Sequence, residues 1–141
     1  MKQGKGNFYL QPNGVFFIDK EGNASVKTTK AYAKGKRQPK LACQSGPILL
    51  SDGKIHPKFN AGGTSKRLRN GVGVREDGTI VFAICASGEV TNFYTFARLF
   101  KEALDCPNAL FLDGDLCKMA VDPDDKIDPS GTFAAMFILT N

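Results

Sequence analysis

One stretch of this chain repeats its apolar residues at helical spacing, and it constrains the fold more than any other. In TNFYTFARLFKEALDCP, residues Phe93, Phe96, Ala97, Phe100, Ala103 and Leu104 fall on one face at i, i+3, i+4 and i+7. Arg98, Lys101 and Glu102 take the other side. Thr91 or Asn92 can cap the start through a side-chain oxygen, and Pro107 stops the run because it lacks an N–H. The pattern predicts one long amphipathic helix over about residues 92–104. Its apolar stripe has to be buried against another element, and what flanks it reads as strand.

Elsewhere the apolar and β-branched residues come in short blocks punctuated by turn residues. GVFFID (14–19) and ASVKT (24–28) read as a hairpin around Gly22-Asn23. KLACQSGPILLSDGKI reads as strands at 41–44 and 48–50, broken at Ser45-Gly46-Pro47 and turning at Asp52-Gly53. GVGVREDGTIVFAICA gives strands 71–76 and 79–86, with Asp77-Gly78 as a type I′ turn. ALFL (109–112) reads as a strand buried on both faces, and TFAAMFILT (132–140) as a last strand. Strands, one helix, then strands again imply an α+β domain, its helix packed on a mainly antiparallel sheet.

With 141 residues, 42% of them hydrophobic and 23% charged, the chain has the size and composition of a single globular domain, 1–141. No run approaches the about 20 apolar residues that span a bilayer, so a membrane is not an expected partner. MKQGKGNFYLQPNG lacks the apolar centre and cleavage site of a signal peptide, which makes the cytoplasm the expected location. Cys43, Cys85, Cys106 and Cys117 have no CxxC spacing, and His56 is the single histidine, so no metal site is expected. All four cysteines read as reduced thiols, Cys43 and Cys85 as small hydrophobes. No cofactor is implied either.

Charge is divided unevenly. Residues 1–75 carry 15 Lys/Arg against 3 Asp/Glu, and residues 76–141 carry 4 against 11, within a net charge of +5. The two halves can mingle on one solvated surface, or the basic half can attract an anionic ligand. Nucleic acid is disfavoured as a partner, because the basic residues are dispersed and no nucleic-acid motif is visible.

Four places can carry chemistry. Asp113 and Asp115 flank Gly114 where a buried strand ends; they make either a plain turn or the working end of a site. Gln44, Ser45 and Gly46 precede Pro47, and the break either cradles an anion on backbone N–H groups or is a bulge or strand switch. Arg69 precedes Asn70-Gly71, where its guanidinium can grip a phosphate bidentately, Lys66 and Arg67 being left to solvent; the alternative is a surface loop. Cys117 beside Lys118 is a nucleophile only with a partner base that the sequence does not reveal. His56 reads as a surface or packing histidine, and DPDDKIDPSG (122–131) as a polar loop without EF-hand spacing.

Taken in order, CQSGPILLSDGKIHPKF, RLRNGVGVREDGTIVFAI and VTNFYTFARLFKEALDCPNALFLDG resemble the phosphodiester glycosidase family. GNFYLQPNGVFFI resembles its bacterial branch, and the match runs over roughly residues 6–121. The family pattern is Ser-Gly-Pro before a strand, Arg before a glycine-containing strand, a helix, then Leu-Asp-Gly. Two departures stand out: Asp115-Leu116-Cys117-Lys118 replaces the usual glycines and serines, and the chain starts after the segment in which relatives carry an Asn-Gly-Gly stretch. A layer missing there would be replaced by a second copy of the chain, giving a homo-oligomer that completes the sheet.

The resemblance implies a hydrolase cutting a glycosidic bond between a sugar and a phosphate, in a sugar phosphodiester or nucleotide-sugar. Phosphate is a good leaving group, so the demand is for charge stabilisation more than for a strong acid. Asp113 answers the positive charge on the sugar, as nucleophile or as base for a water. Arg69 answers the departing phosphate, with Ser45, Gly46, Gln44, Asn70, Gly114, Asp115, Cys117 and Lys118 around the ligand. Asp115 and Glu89 are candidates for a second carboxylate. The alternative is a non-catalytic binding protein, a sponge for the same class of phosphate-containing small molecule.

Overall fold

The computed structural model describes residues 10–35, 38–112, 114, 118–121, 124, 137 and 138. Among them the chain forms β1 (Gly14–Ile18), β2 (Ala24–Thr28), α1 (Thr29–Lys34), β3 (Leu41–Ser45), β4 (Ile48–Ser51), β5 (Lys54–Ile55), β6 (Asn70–Val74), β7 (Ile80–Ile84), α2 (Phe93–Arg98) and β8 (Asn108–Phe111). The strands make two sheets, ordered β2-β1-β3 and β5-β4-β8-β6-β7. Every pairing between them is antiparallel. The α+β, mainly antiparallel class is as expected, but the strands divide into two sheets where one was foreseen. The chain passes between the sheets at Ser45-Gly46-Pro47, which is the strand switch weighed above.

Turn chemistry explains the hairpins. The β1–β2 and β6–β7 connections share one design. Gly22 N–H donates to Asp19 O and Asp19 N–H to Asn23 O, and Gly78 and Arg75 repeat this with Arg75 O and Thr79 O. Each is a type I turn closed by a left-handed glycine, Gly22 at φ 94° and Gly78 at φ 86°. Asp77 has no positive φ, so Asp77-Gly78 is not the type I′ pair that was predicted. Instead Asp77 Oδ1 accepts from Thr79 N–H at 2.8 Å, which holds its carboxyl below the usual range. The type I′ signature falls at Asp52-Gly53, with φ 49° and 72°, joining β4 to β5.

The predicted helix is shorter and less regular than its apolar spacing suggests. Asn92 caps α2, its Oδ1 accepting from Thr95 N–H at 2.8 Å. After Arg98 the winding widens to a π-helical segment, Leu99–Ala103, in which Leu104 N–H donates to Leu99 O. Phe93, Phe96, Ala97 and Phe100 are buried as expected. The wider turn lets later residues lag behind the α-helical stripe, so Ala103 is exposed and Leu104 only half-buried. α1 was not foreseen; Thr28 Oγ1 caps it by accepting from Ala31 N–H, and Tyr32 packs on Phe17.

Strand alternation sorts the core into two layers. Phe16 and Val26 of the small sheet meet Ile48, Val72, Val74 and Leu110 of the large one. On the opposite face Leu49, Ala109 and Phe111 meet Phe93, Phe96, Ala97 and Phe100 of the helical stretch. β8 lies between β4 and β6, with Ala109 and Leu110 fully buried, as ALFL implied. The predicted strand 132–140 lies almost wholly outside the described residues; of it, Phe137 packs on Phe16 and Phe82. No described helix is long and apolar enough to cross a membrane.

Candidate active site at the strand ends

Three chain segments meet where β3 and β8 end and β6 begins. Ser45 Oγ donates to Leu112 O at 2.6 Å, and Phe111 N–H donates to Pro47 O at 3.2 Å. Leu112 N–H in turn donates to Asn70 O at 3.1 Å. Gly114 is buried against the segment before Arg69: a Cβ there would lie 3.0 Å from Leu68 O. The fold therefore gathers Ser45, Gly46, Arg69, Asn70 and Gly114. Asp113, Asp115 and Cys117 lie outside the described residues, although Leu112 and Gly114 on either side of Asp113 belong to the cluster.

The other residues foreseen there stand differently. Gln44 neighbours Ser45 on β3 and so faces the opposite way, where it is exposed. Lys118 and Glu89 are exposed. Gly46 is buried with Asn13 packed against its Cα, so any side chain at 46 would collide with Asn13 Oδ1. Asn13, unnoticed in the sequence, is itself buried, and that oxygen has no hydrogen-bond partner among the described residues.

Arg69 is the most unusual side chain of the cluster, being 1% exposed. Its Nε donates to Thr91 O at 3.2 Å and one Nη to Ser65 O at 3.1 Å. The guanidinium lies 3.6 Å over the Phe93 ring and 5.4 Å from the Phe111 ring, and these do not exhaust its contacts. Two of the donors expected to be available for a bidentate grip on phosphate are thus bonded to backbone carbonyls. Burying a guanidinium is costly unless its donors are satisfied, and the stacked rings suit its weak hydration. Lys66 and Arg67 are exposed, as expected.

Asn92 and Phe93, expected only as the start of the helix, also frame Arg69. Asn92 Nδ2 donates to Ala61 O at 3.2 Å and Gly63 O at 3.0 Å, tying down the loop that supplies Ser65 O. The capping signal at Asn92 was readable; the stacking of Phe93 on a residue 24 positions earlier was not.

His56 is a packing histidine, as expected. It is 4% exposed, with Nε2 2.9 Å from Gln11 O and Nδ1 3.2 Å from Lys58 N. A carbonyl can only accept and an amide can only donate, so the neutral ring carries its proton on Nε2. Burial lowers its pKa, the Gln11 carbonyl opposing and Lys58 reinforcing the shift. A shallow depression of about 250 Å³ beside it, lined by Pro12, Ile48, Asp52, Lys54 and Pro57, lies at β4 and β5 and does not include Arg69. Cys43, Cys85 and Cys106 are free thiols, and burial raises the pKa of Cys43 and Cys106. Among the described residues, no three His, Cys, Asp or Glu side chains group as metal ligands.

Comparison with known proteins bears on the family and the fold. The family model of the phosphodiester glycosidases matches residues 1–119. The uncharacterized protein YigE of Escherichia coli (strain K12) is 36% identical over 121 residues, which cover 84% of this chain and 45% of that protein. Among solved structures, the chain resembles the zebrafish N-acetylglucosamine-1-phosphodiester alpha-N-acetylglucosaminidase catalytic domain, auto-inhibited by its pro-peptide. The TM-score is 0.55 at 21% identity, covering 74% of this chain and 40% of that one, a likeness of fold. The chain thus spans less than half the length of either relative. With a match over most of its residues, it belongs to the phosphodiester glycosidase family.

Proposed function

We propose that this domain acts on a glycosidic bond between a sugar and a phosphate, in a phosphodiester or nucleotide-sugar. The observation that carries this reading is the meeting of Ser45, Arg69–Asn70, Leu112 and Gly114 where β3 and β8 end and β6 begins, in a chain of this family. Asp113 supplies the carboxylate. Acting as base, it takes a proton from water as the water oxygen bonds to the anomeric carbon; the carbon–oxygen bond breaks and phosphate leaves with the electron pair. Acting as nucleophile, it forms a glycosyl ester that water then cleaves. Arg69 contributes a buried positive charge that favours the departing phosphate across a low-dielectric wall, where charge acts more strongly than in water.

UDP-N-acetylglucosamine is a suitable probe, with released sugar as the readout. Asp113→Asn is expected to lower the rate by at least about 100-fold. Equal rates for the variant and wild type would remove Asp113 from the reaction. The second reading, a binder without turnover, draws on Cys117 standing in place of a serine and on the Arg69 edge bonded to Thr91 and Ser65 carbonyls. Mass spectrometry of the recovered ligand separates the two: an intact molecule after long incubation supports the binder, a cut one the enzyme.

A further inference from the structure

Four planar groups stack in sequence behind the site. The His56 and Phe59 rings lie 4.6 Å apart at 22°, and Phe59 and Phe93 lie 4.9 Å apart at 10°. The Arg69 guanidinium completes the column, 3.6 Å above Phe93. The far end is anchored, because both nitrogens of His56 are hydrogen-bonded to backbone. Phe111 braces the column from the side, its ring 5.0 Å from Phe93 at 88°.

We propose that this column is a positioning device, in which Phe93, backed by Phe59 and His56, fixes the plane and reach of the Arg69 guanidinium. All guanidinium N–H bonds lie in one plane, so a ring pressed on its face sets the directions in which it can donate. The bonds to Thr91 O and Ser65 O lie at the edge of that plane and fix rotation within it. Stacking alone would leave the group free to spin on the ring; the carbonyls alone would leave it free to tilt. Phe93 is a positioning residue, and its consequence for turnover rests on the role proposed for Arg69 above.

The test uses the full chain with Phe93→Leu, Phe93→Tyr, Phe59→Leu and Arg69→Lys. The ring current of Phe93 gives the Arg69 Nε–H a displaced NMR resonance. Phe93→Leu is expected to move it towards the position of exposed arginines and to lower kcat/KM on UDP-N-acetylglucosamine roughly tenfold. Phe93→Tyr keeps the ring and restores both. Phe59→Leu, which touches no atom of the guanidinium in the stack, shifts the resonance to a smaller extent and serves if Phe93→Leu does not fold. Loss of the Phe93 ring moves the resonance whatever its role, so Phe59→Leu, which leaves that ring in place, decides: an unmoved resonance there overturns the proposal. If Arg69→Lys lowers kcat/KM while a folded Phe93→Leu keeps wild-type kinetics, the positioning role is refuted and the proposed function stands. If the substrate is not turned over at all, the catalytic reading fails on its own, and the resonance in Phe59→Leu still decides whether the column orients Arg69.

Discussion

Replacing Gly73 by alanine tests how closely the helix sits on the sheet. A Cβ at 73 would come 2.7 Å from Cys106 Sγ, 2.7 Å from Phe100 Cδ1 and 2.8 Å from Cys106 Cβ. Neither neighbour has room to retreat, since Phe100 is 0% and Cys106 1% exposed. The backbone itself welcomes alanine: Gly73 lies in β6 without a positive φ. On that account the substitution gains about 0.4–1 kcal/mol from a less flexible unfolded chain. Overpacking costs about 1–3 kcal/mol, and three contacts below 3.0 Å place this site towards the upper end. The net loss is therefore about 1–2.5 kcal/mol, or roughly 3–10 °C in Tm for a chain of 141 residues.

Urea unfolding of wild type, Gly73→Ala, Cys106→Ala and the double variant measures this directly. Removing Sγ deletes one of the three close contacts, so the pair should couple favourably by about 0.5–1.5 kcal/mol. A Gly73→Ala protein as stable as wild type, or a strictly additive double variant, would refute the close approach of helix and sheet.

Leu110→Ala, at a fully buried position between the two sheets, should cost about 3–4 kcal/mol, whereas Leu99→Ala, at 41% exposure, should cost under about 1 kcal/mol; denaturant midpoints decide. His56 should make stability sensitive to mild acid. Its pKa is lower folded than unfolded, so below the ordinary imidazole value of about 6.5 the unfolded chain binds more protons and stability falls as pH drops. The loss between pH 7 and pH 5 should shrink in His56→Gln, and an identical pH profile for the two proteins would show that His56 is not its source.

Much of the fold was legible because local chemistry and tertiary structure agree. Short apolar blocks, the glycines that punctuate them and the Asn92 cap are short-range signals, and each was honoured. What failed were readings that needed to know how a segment is loaded. Asp77-Gly78 looks like a type I′ pair by composition, yet the five residues between paired Val74 and Ile80 fit a type I turn plus bulge. Ala103 and Leu104 match the helical stripe by spacing, but the π-helical turn moves them off it. At the site, Ser45 and Asn70 both bond to Leu112, whereas Asp113, the carboxylate expected beside them, lies outside the described residues. The burial of Arg69 was not legible, because a buried arginine has the same letter as an exposed one and is revealed only by the rings around it.

Those rings follow from the glycines of β6. The extra Cβ at Gly73 would strike Phe100, at Gly71 it would meet Phe96 and Phe100, and two residues further back Arg69 lies over Phe93. The pairs 73 with 100, 71 with 96 and 69 with 93 advance together. Two strand residues rise about 6.6 Å and three or four helix residues about 4.5–6 Å, so the helix and β6 run in step along this line. Glycine at 71 and 73 lets the helix settle on the sheet; at 69 the same spacing is filled by a flat guanidinium instead of an absent side chain. A bulky residue at 71 or 73 would lift the helix and open the gap beneath Phe93. The pattern Arg69-Asn70-Gly71-Val72-Gly73 therefore encodes both how the helix packs and how the cation at the strand ends is held. A change in the helix–sheet spacing should reach Arg69 without touching it.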